Sequence, residues 1–274
     1  MEDAGAKSKG VMLEWSMVYH ALLHSGMTSA AIRNRNSKLQ AYGVDIAKEA
    51  KAAIELVYKV NPKLLKTAQH SDERHDIFGN PEPKTDILFG TDIRCSVKML
   101  GPIQLASGQG LSTSLVFRRV MTAEKIPQSK MILELLHDLE TLPTKLLDES
   151  NIPRLKAEKP SVLKEFLTAG GGIRKDGSYQ YWLTHNKGAL LGHIMELLKK
   201  NPSFHKALVR EAMTGELLFG KDNKATATHM ITAKTFTKID DTYVSQTMPK
   251  TKIDIRAKSR GGITAIAFRF DATG

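Results

Sequence analysis

The apolar residues of this chain change their spacing before the middle of the sequence, and this change constrains the fold more than any other feature. From Val11 to Val60 they recur at steps of three and four residues, which is typical of helices with one buried face. After Pro83 they alternate in short runs, which is typical of strands. Helices and strands of this kind bury their apolar faces against each other, so we expect a mixed α/β (α+β) fold.

The helical stretches have recognisable ends. The first helix is predicted over residues 11–26, and the second runs from a Ser37 cap to about residue 60, where an Asn-Pro pair stops it. Further helices are predicted up to Val120 and over 129–147, 161–168, 178–200 and 203–213, and further strands over 225–233, 241–247, 251–258 and 263–270.

We expect four consecutive segments that together form one compact unit. They are an N-terminal helical segment (1–36), a core built on a β-hairpin (37–126), a second helical segment (127–220) and a basic, β-rich C-terminal segment (221–274). The sequence shows no internal repeat that would indicate a solenoid.

Composition places the chain among ordinary globular proteins. Of its 274 residues, 41% are hydrophobic and 25% charged, which suffices for a core and excludes collagen-like and disordered classes. Cys95 is the single cysteine, so a disulfide scaffold and a cysteine-based zinc site are excluded. No apolar run of membrane-spanning length and no signal-peptide pattern are found, so we expect a cytoplasmic protein without a membrane partner.

Positive charge is in excess and unevenly distributed. The chain has 40 Lys and Arg against 29 Asp and Glu, a net charge of +11, and +7 of this lies beyond residue 177. Lysine and arginine attract polyanions by releasing their counterions, so nucleic acid is the first partner to consider. An ordinary solubilising surface charge also fits these numbers.

The C-terminal segment holds the strongest candidate for a nucleic-acid surface. Alternation along the predicted strand 251–258 places its basic residues on one face, and the following turn and strand 263–270 add two arginines. This cationic ribbon suits phosphates, whereas an ordinary solvated face fits nearly as well. The basic residues of the cationic ribbon are Lys252, Arg256, Lys258, Arg260 and Arg269.

The predicted hairpin near the middle of the chain is the most informative part for chemistry. A three-residue Gly-Thr-Asp loop pairs Phe89 with Ile93 and therefore Asp86 with Ser96, on the strand face that also carries Lys98. A two-residue loop would instead scatter these side chains. The three-residue register thus brings an aspartate and a lysine together.

Asp86 and Lys98 are the residue types that metal-dependent hydrolysis of a phosphodiester requires. The reaction needs hard oxygen ligands for a divalent cation and a positive charge near the reacting phosphate. A further carboxylate would come from the helix before the hairpin, where Glu49 and Glu55 are the candidates. The alternative is a plain edge hairpin in which Asp86 caps a strand and Lys98 is solvated.

A dense group of histidines and carboxylates precedes the hairpin. Such side chains can bind a transition metal, but this segment lacks the helical or strand spacing that would aim them at one point, so we expect a solvated loop. Its members are His70, Asp72, Glu73, His75 and Asp76.

Two short stretches, Glu82-Pro-Lys-Thr-Asp86 and Ser96-Val-Lys98, resemble the motif of the PD-(D/E)XK nuclease superfamily. The resemblance covers roughly residues 40–120. It implies a core of helix, β-hairpin, helix and strand, with Asp86 as a ligand of Mg²⁺ (or Mn²⁺) and Lys98 as the catalytic lysine. Ser96 stands where the family has Asp or Glu, and Gln104 takes the position of a polar residue that faces the site.

The resemblance implies a Mg²⁺-dependent DNA nuclease, and the sequence looks more like phage-encoded members than chromosomal restriction enzymes. Because Ser96 departs from the motif, the alternative is a weakly active or inactive nuclease-fold protein that binds DNA or DNA ends in a phage particle. A third reading is a component that binds only protein. DNA is the expected partner, in the host cytoplasm or the virion, and homo-oligomerisation or association with a viral assembly stays open.

Overall fold

The protein is a mixed α/β molecule, as the change in apolar spacing predicts. The strands that are described form two sheets, one of five strands and one of three. None of the helices in the described part of the chain is long and apolar enough to cross a bilayer. This computed structural model describes residues 9–42, 46–74, 83–98, 103–104, 110–127, 129–130, 133–134, 137, 188, 191–250, 253–257 and 266–270.

The chain divides into two compact units, which differ from the four consecutive segments that we expected. The first comprises residues 1–101 and 213–244, and the second residues 102–212 and 245–274. The boundaries differ because the chain returns to its first sheet: a strand at residues 229–231 pairs with the hairpin strand at residues 93–97. Sequence order therefore does not follow spatial order.

The first unit begins with four helices: α1 (Lys9–His24), α2 (Ser29–Arg35), α3 (Ser37–Tyr42) and α4 (Ala47–Val60). The predicted helix over 37–60 is thus two helices. Thr28 caps α2 by accepting a hydrogen bond from the Ala31 N–H at 3.3 Å. Asn61 ends α4, and its side chain caps a short 3₁₀ helix, Pro62–Thr67, by accepting from the Lys63 N–H at 3.1 Å.

The five-stranded sheet of the first unit has the order β1-β2-β3-β5-β6. Strands β3 and β5 are parallel, and the other neighbours are antiparallel. Two of these strands, β1 and β6, lie where the sequence predicted none. The bounds are β1 (Ala68–His70), β2 (Ile87–Phe89), β3 (Ile93–Val97), β5 (His229–Ile231) and β6 (Phe236–Lys238).

Helix α1 is the centre of the first hydrophobic core. It packs against α3, α4 and strand β1, so it is buried on most of its circumference. Burial of apolar surface on this scale is the main stabilising term for such a core. Its largest buried side chains are those of Leu13, Trp15, Met17, Leu22, Ile32, Leu39 and Phe89.

The buried side chain of Arg94 ties strand β3 to the returning segment. Its Nε donates a hydrogen bond to the Thr226 carbonyl at 2.6 Å, and Nη2 donates to the Lys221 carbonyl at 3.1 Å. Because its donors are hydrogen-bonded, the buried guanidinium is tolerated. The same two hydrogen bonds fix the position of the segment that leads into β5.

The second unit has a three-stranded antiparallel sheet of order β4-β8-β7. Its strands are β4 (Ile103–Gln104), β7 (Ile253–Ala257) and β8 (Ile266–Phe270), which confirms the predicted pairing of the last two strands. Helix α5 (Gly110–Ala123) belongs to this unit, and residues 191–200 are helical. Helix α6 (Pro202–Thr214) belongs to it up to residue 212, and α7 (Glu216–Phe219) follows in the first unit.

The predicted strand over residues 241–247 is wrong, because this segment is helix α8 (Asp241–Thr247). Asp240 starts the helix: its carboxylate accepts a hydrogen bond from the Tyr243 N–H at 2.8 Å, and its carbonyl accepts from the Val244 N–H at 3.0 Å. An N-cap of this kind outweighs the strand preference of Tyr243 and Val244.

Candidate active site

The β2–β3 hairpin has the register that the three-residue loop predicts. Phe89 pairs with Ile93, and Ile87 pairs with Cys95. Gly90 adopts the left-handed conformation that the turn requires, with φ 68°. The Asp86 N–H donates to the Cys95 carbonyl at 2.8 Å, so the pairing of the two strands extends to Asp86, whose side chain is at the centre of the site.

The carboxylate of Asp86 lies at the centre of the site and accepts hydrogen bonds from strand β3. Its Oδ2 accepts a hydrogen bond from the Val97 N–H at 2.7 Å and a long one from the Ser96 hydroxyl at 3.4 Å. Lys98 Nζ lies 3.9 Å from the same oxygen. The hairpin therefore brings Asp86, Ser96 and Lys98 together, as the sequence predicts.

Lys98 is held by the backbone of the neighbouring strand. Its N–H donates to the Ile231 carbonyl of β5 at 2.9 Å, which extends the parallel pairing of β3 and β5 by one residue. This hydrogen bond holds the backbone of Lys98 in place near Asp86. Its side chain is 31% exposed and that of Asp86 is 21% exposed, so solvent reaches both.

Glu14 on helix α1 is the second carboxylate of the site, and it is not among the residues predicted from the sequence. Burial raises the pKa of Glu14 to about 7, while the charge of Lys98 lowers it and that of Asp72 raises it. Burial likewise raises the pKa of Asp86 to about 6, and the charge of Glu14 adds to this effect. Glu14 thus lies close enough to Asp86 for its charge to affect it, and burial disfavours the charged form of both carboxylates.

His70 at the end of β1 contacts Glu14. Its Nε2 lies 3.1 Å from Glu14 Oε2, its Nδ1 accepts a hydrogen bond from the Asp72 N–H at 3.0 Å, and its ring stacks on Trp15 at 4.0 Å. Only 3% of the residue is exposed, and burial lowers the pKa of His70 to about 4. His70 therefore stays neutral near pH 7.

The expectation of a solvated loop at residues 70–76 is wrong for its first part. His70 is the last residue of β1, and residues 71–73 form a 3₁₀ turn that it caps. Two exposed ion pairs secure this turn: Arg35 Nη2 to Glu73 Oε2 at 3.2 Å and Lys38 Nζ to Asp72 Oδ2 at 2.6 Å. His75 and Asp76 lie outside the described residues.

Glu49 and Glu55, the candidate carboxylates of helix α4, are not brought to Asp86. Within the described part of the chain, the charged groups that shift the pKa of Asp86 are Glu14, Lys98 and His70. Glu55 instead pairs with His24, with Oε1 and Nε2 3.0 Å apart. The physical reason is packing: α1, not α4, lies next to β1 and β3.

The chemistry of these two partly buried carboxylates fits a divalent cation. Carboxylate oxygens are preferred ligands of Mg²⁺, which keeps several waters and needs only one or two carboxylates from the protein. A cation beside Asp86 and Glu14 would favour the charged forms of both carboxylates, which burial disfavours. The described residues contain no group of three or more His, Cys, Asp or Glu arranged to hold a metal, so a cation here would have at most these two carboxylates and water as ligands.

The remaining predicted site residues belong to the second unit. Gln104 is in β4, and Arg256 and Arg269 are in β7 and β8, where only the backbone register is described. That register pairs Arg256 with Ala267 and Asp254 with Arg269. Lys252, Lys258 and Arg260 of the cationic ribbon lie outside the described residues.

A signal for Glu14 was present in the sequence. Val11 and Val18 precede and follow it by three and four residues, so Glu14 occupies the apolar face of its helix. A carboxylate on an apolar face is costly unless a partner or a cation compensates it. His70 carried no comparable signal, because its burial depends on the packing of Trp15 against it.

Comparison with known proteins adds no relative. No family model matches the sequence, and neither the curated proteins nor the solved structures contain a match.

Proposed function

We propose that this protein is a Mg²⁺-dependent nuclease that hydrolyses phosphodiester bonds in DNA. One observation carries the proposal: Asp86 and Lys98 lie beside each other at the ends of adjacent strands, with Nζ 3.9 Å from Oδ2, and the charge of Glu14 helps to raise the pKa of Asp86. A helix carboxylate next to an Asp/Lys hairpin is the arrangement that the resemblance to PD-(D/E)XK nucleases implies. Glu14 then takes the role that the motif assigns to the position of Ser96.

In this proposal Asp86 and Glu14 hold the cation, Mg²⁺ or Mn²⁺. When bound, the cation stabilises developing charge on the phosphate and makes water a better nucleophile near neutral pH. Asp86 is oriented for this role by the Val97 N–H, which fixes Oδ2 at 2.7 Å. Partial exposure of both Asp86 and Lys98 leaves the site open to a substrate.

Lys98 supplies a positive charge beside the cation site. An ammonium group has three donors and can hydrogen-bond a phosphate oxygen or orient an attacking water. Its backbone anchor to Ile231 limits how far the ammonium can move from Asp86. We therefore assign Lys98 as the catalytic lysine.

DNA is the proposed substrate because of charge. The net charge of +11 attracts a polyanion, and +7 of it lies beyond residue 177, in the part of the chain that includes the cationic ribbon. The ribbon would contact the phosphate backbone and so bind without reading sequence. A phage-encoded enzyme would act in the host cytoplasm.

Ser96 favours a second candidate function. A serine cannot supply the charge of the Asp or Glu that the motif has, and its hydroxyl already donates to Asp86 at 3.4 Å. With one carboxylate fewer on the hairpin, the protein would be a nuclease-fold component of a phage particle that binds DNA or DNA ends and cuts weakly or not at all.

A labelled DNA duplex separates the two functions. Incubation with Mg²⁺ or Mn²⁺, with an EDTA control, gives shortened products if the first proposal holds. Retention of intact duplex in the presence of either metal favours the binding protein. If duplex is neither cut nor retained at low salt, both proposals are wrong.

A further inference from the structure

The imidazole of His70 is fixed on three sides. Its Nδ1 accepts the Asp72 N–H at 3.0 Å, its Nε2 lies 3.1 Å from Glu14 Oε2, and its ring stacks on Trp15 with only 8° between the planes. The residue is 3% exposed. No step of the proposed hydrolysis uses this ring, so a different role must explain why the ring is held in this position.

The hydrogen bond from Asp72 decides the tautomer. A backbone N–H can only donate, so Nδ1 must present its lone pair and carries no proton. The proton of the neutral ring is then on Nε2, which donates to the carboxylate of Glu14. A protonated Nε2 has no lone pair for a metal, so His70 is a donor to Glu14 and not a metal ligand.

We propose that His70 is a positioning residue that orients the carboxylate of Glu14 toward the cation. The inference rests on the proposed function, since it names what holds one of the two ligands. Carboxylates that bind metals are commonly held by a further hydrogen bond, and removing it typically costs about 10- to 100-fold in metal affinity. The Val97 N–H holds the carboxylate of Asp86 by such a hydrogen bond, and His70 holds the carboxylate of Glu14.

The turn after His70 keeps the ring in place. Glu73 Oε2 accepts the His70 N–H at 2.9 Å, and the same carboxylate oxygen contacts Arg35 of α2 at 3.2 Å. Asp72, whose N–H sets the tautomer, is paired with Lys38 of α3. These contacts connect the orientation of the imidazole to two helices, so rotation of the ring would break several interactions at once.

Two substitutions separate the positioning role from a structural one. In His70→Asn the side-chain oxygen can replace Nδ1 and accept the Asp72 N–H, but no donor reaches Glu14. In His70→Gln the amide can replace Nε2–H as donor to Glu14, but the acceptor for Asp72 is lost. Both variants lose the ring that stacks on Trp15, so they form a matched pair.

The first measurement is Mn²⁺ affinity by calorimetry, together with thermal unfolding of the metal-free proteins. We expect His70→Asn to bind Mn²⁺ about 10- to 100-fold more weakly and His70→Gln to stay within about threefold of the wild type. Equal losses in the two variants, or weaker binding that follows the loss of stability, would overturn the positioning role. If the wild type itself binds no Mn²⁺, the proposed function fails.

The second measurement needs neither metal nor DNA. Nitrogen-15 NMR of the metal-free wild type should show an unprotonated Nδ1 and a protonated, slowly exchanging Nε2 on His70. Glu14→Ala should make the Nε2 proton exchange faster, whereas Glu55→Ala should leave it unchanged. A protonated Nδ1, or an Nε2 proton that is insensitive to Glu14→Ala, would refute the inference whether or not the protein is a nuclease.

Discussion

Lys98 Nζ lies 3.9 Å from Asp86 Oδ2, across a hairpin that places the two residues on the same side of adjacent strands. A surface ion pair of this length contributes little to stability. Here the aspartate is also partly buried near a second carboxylate, and burial raises its pKa to about 6. A partly buried acid with a raised pKa next to a lysine is typical of functional sites.

The first prediction concerns metal binding without catalysis. Mg²⁺ should raise the unfolding temperature of the wild type, because a ligand of the folded state at 100 times its Kd adds about 2.7 kcal/mol. Glu14→Gln should abolish this shift. Glu55→Gln should retain it, since Glu55 pairs with His24 and not with the site. A shift lost in both variants, or in neither, would contradict the assignment of Glu14.

The second prediction is a pH dependence of stability in the metal-free protein. In the folded protein the pKa of Asp86 lies above its ordinary value of 3.8, so the folded state binds this proton more tightly than the unfolded state does. The resulting stabilisation is present below about pH 4 and is lost as the pH rises through about 6.

The variant Asp86→Asn removes this effect. Comparing it with the wild type separates the contribution of Asp86 from that of His70, whose lowered pKa makes stability rise with pH instead of fall. Relative to the wild type, we expect the variant to gain about 2 to 3 kcal/mol between about pH 4 and pH 8. Denaturant unfolding at the two pH values measures the gain. A difference that does not change with pH would show that Asp86 is not shifted.

The third prediction restores the acidic residue of the motif. Ser96 is 1% exposed and its hydroxyl lies 3.4 Å from Asp86 Oδ2, so Ser96→Asp adds a buried negative charge beside the carboxylate of Asp86. Without metal the variant should be destabilised by about 3 kcal/mol or more. It should bind Mn²⁺ more tightly than the wild type, because the new carboxylate is another hard ligand.

The control for this substitution is Ser96→Ala. It removes only the 3.4 Å hydrogen bond to Asp86, so stability and cleavage rate should change little. If Ser96→Ala were as damaging as Lys98→Ala, the serine itself would have to take part in the reaction. Calorimetric titration and thermal unfolding of the two variants provide the comparison.

Local features of the sequence predict the part of the site that lies on one hairpin. The loop of Gly90 to Asp92 sets the register, and the register alone places Asp86 opposite Ser96 and near Lys98. No contact distant in sequence is needed, which is why alternation and turn chemistry were sufficient.

The other half of the site depends on tertiary packing. The second carboxylate was predicted on the helix nearest to the hairpin in sequence, whereas α1 is the helix that packs against β1 and β3. His70 is buried where Trp15 of α1 stacks on its ring. Residue spacing within one element contains no information on either contact.

The fourth prediction concerns the cationic ribbon. Each Lys or Arg that contacts a DNA phosphate releases counterions, so the logarithm of affinity falls with the logarithm of salt concentration by about 0.9 per contact. Replacing Arg256, Lys258 and Arg260 by Ala should make this slope shallower by about two to three. An unchanged slope would assign these residues to ordinary surface charge.

The most direct test of the central claim is the single-turnover rate of DNA cleavage by Lys98→Met in the presence of Mg²⁺. Methionine keeps the length of the side chain and removes its charge, and Lys59→Met on the exposed face of α4 is the matched control. We predict a rate at least about 100-fold below that of the wild type for Lys98→Met, a wild-type rate for Lys59→Met, and similar unfolding temperatures for both. Wild-type cleavage by Lys98→Met would contradict the assignment of Asp86 and Lys98 as the catalytic pair.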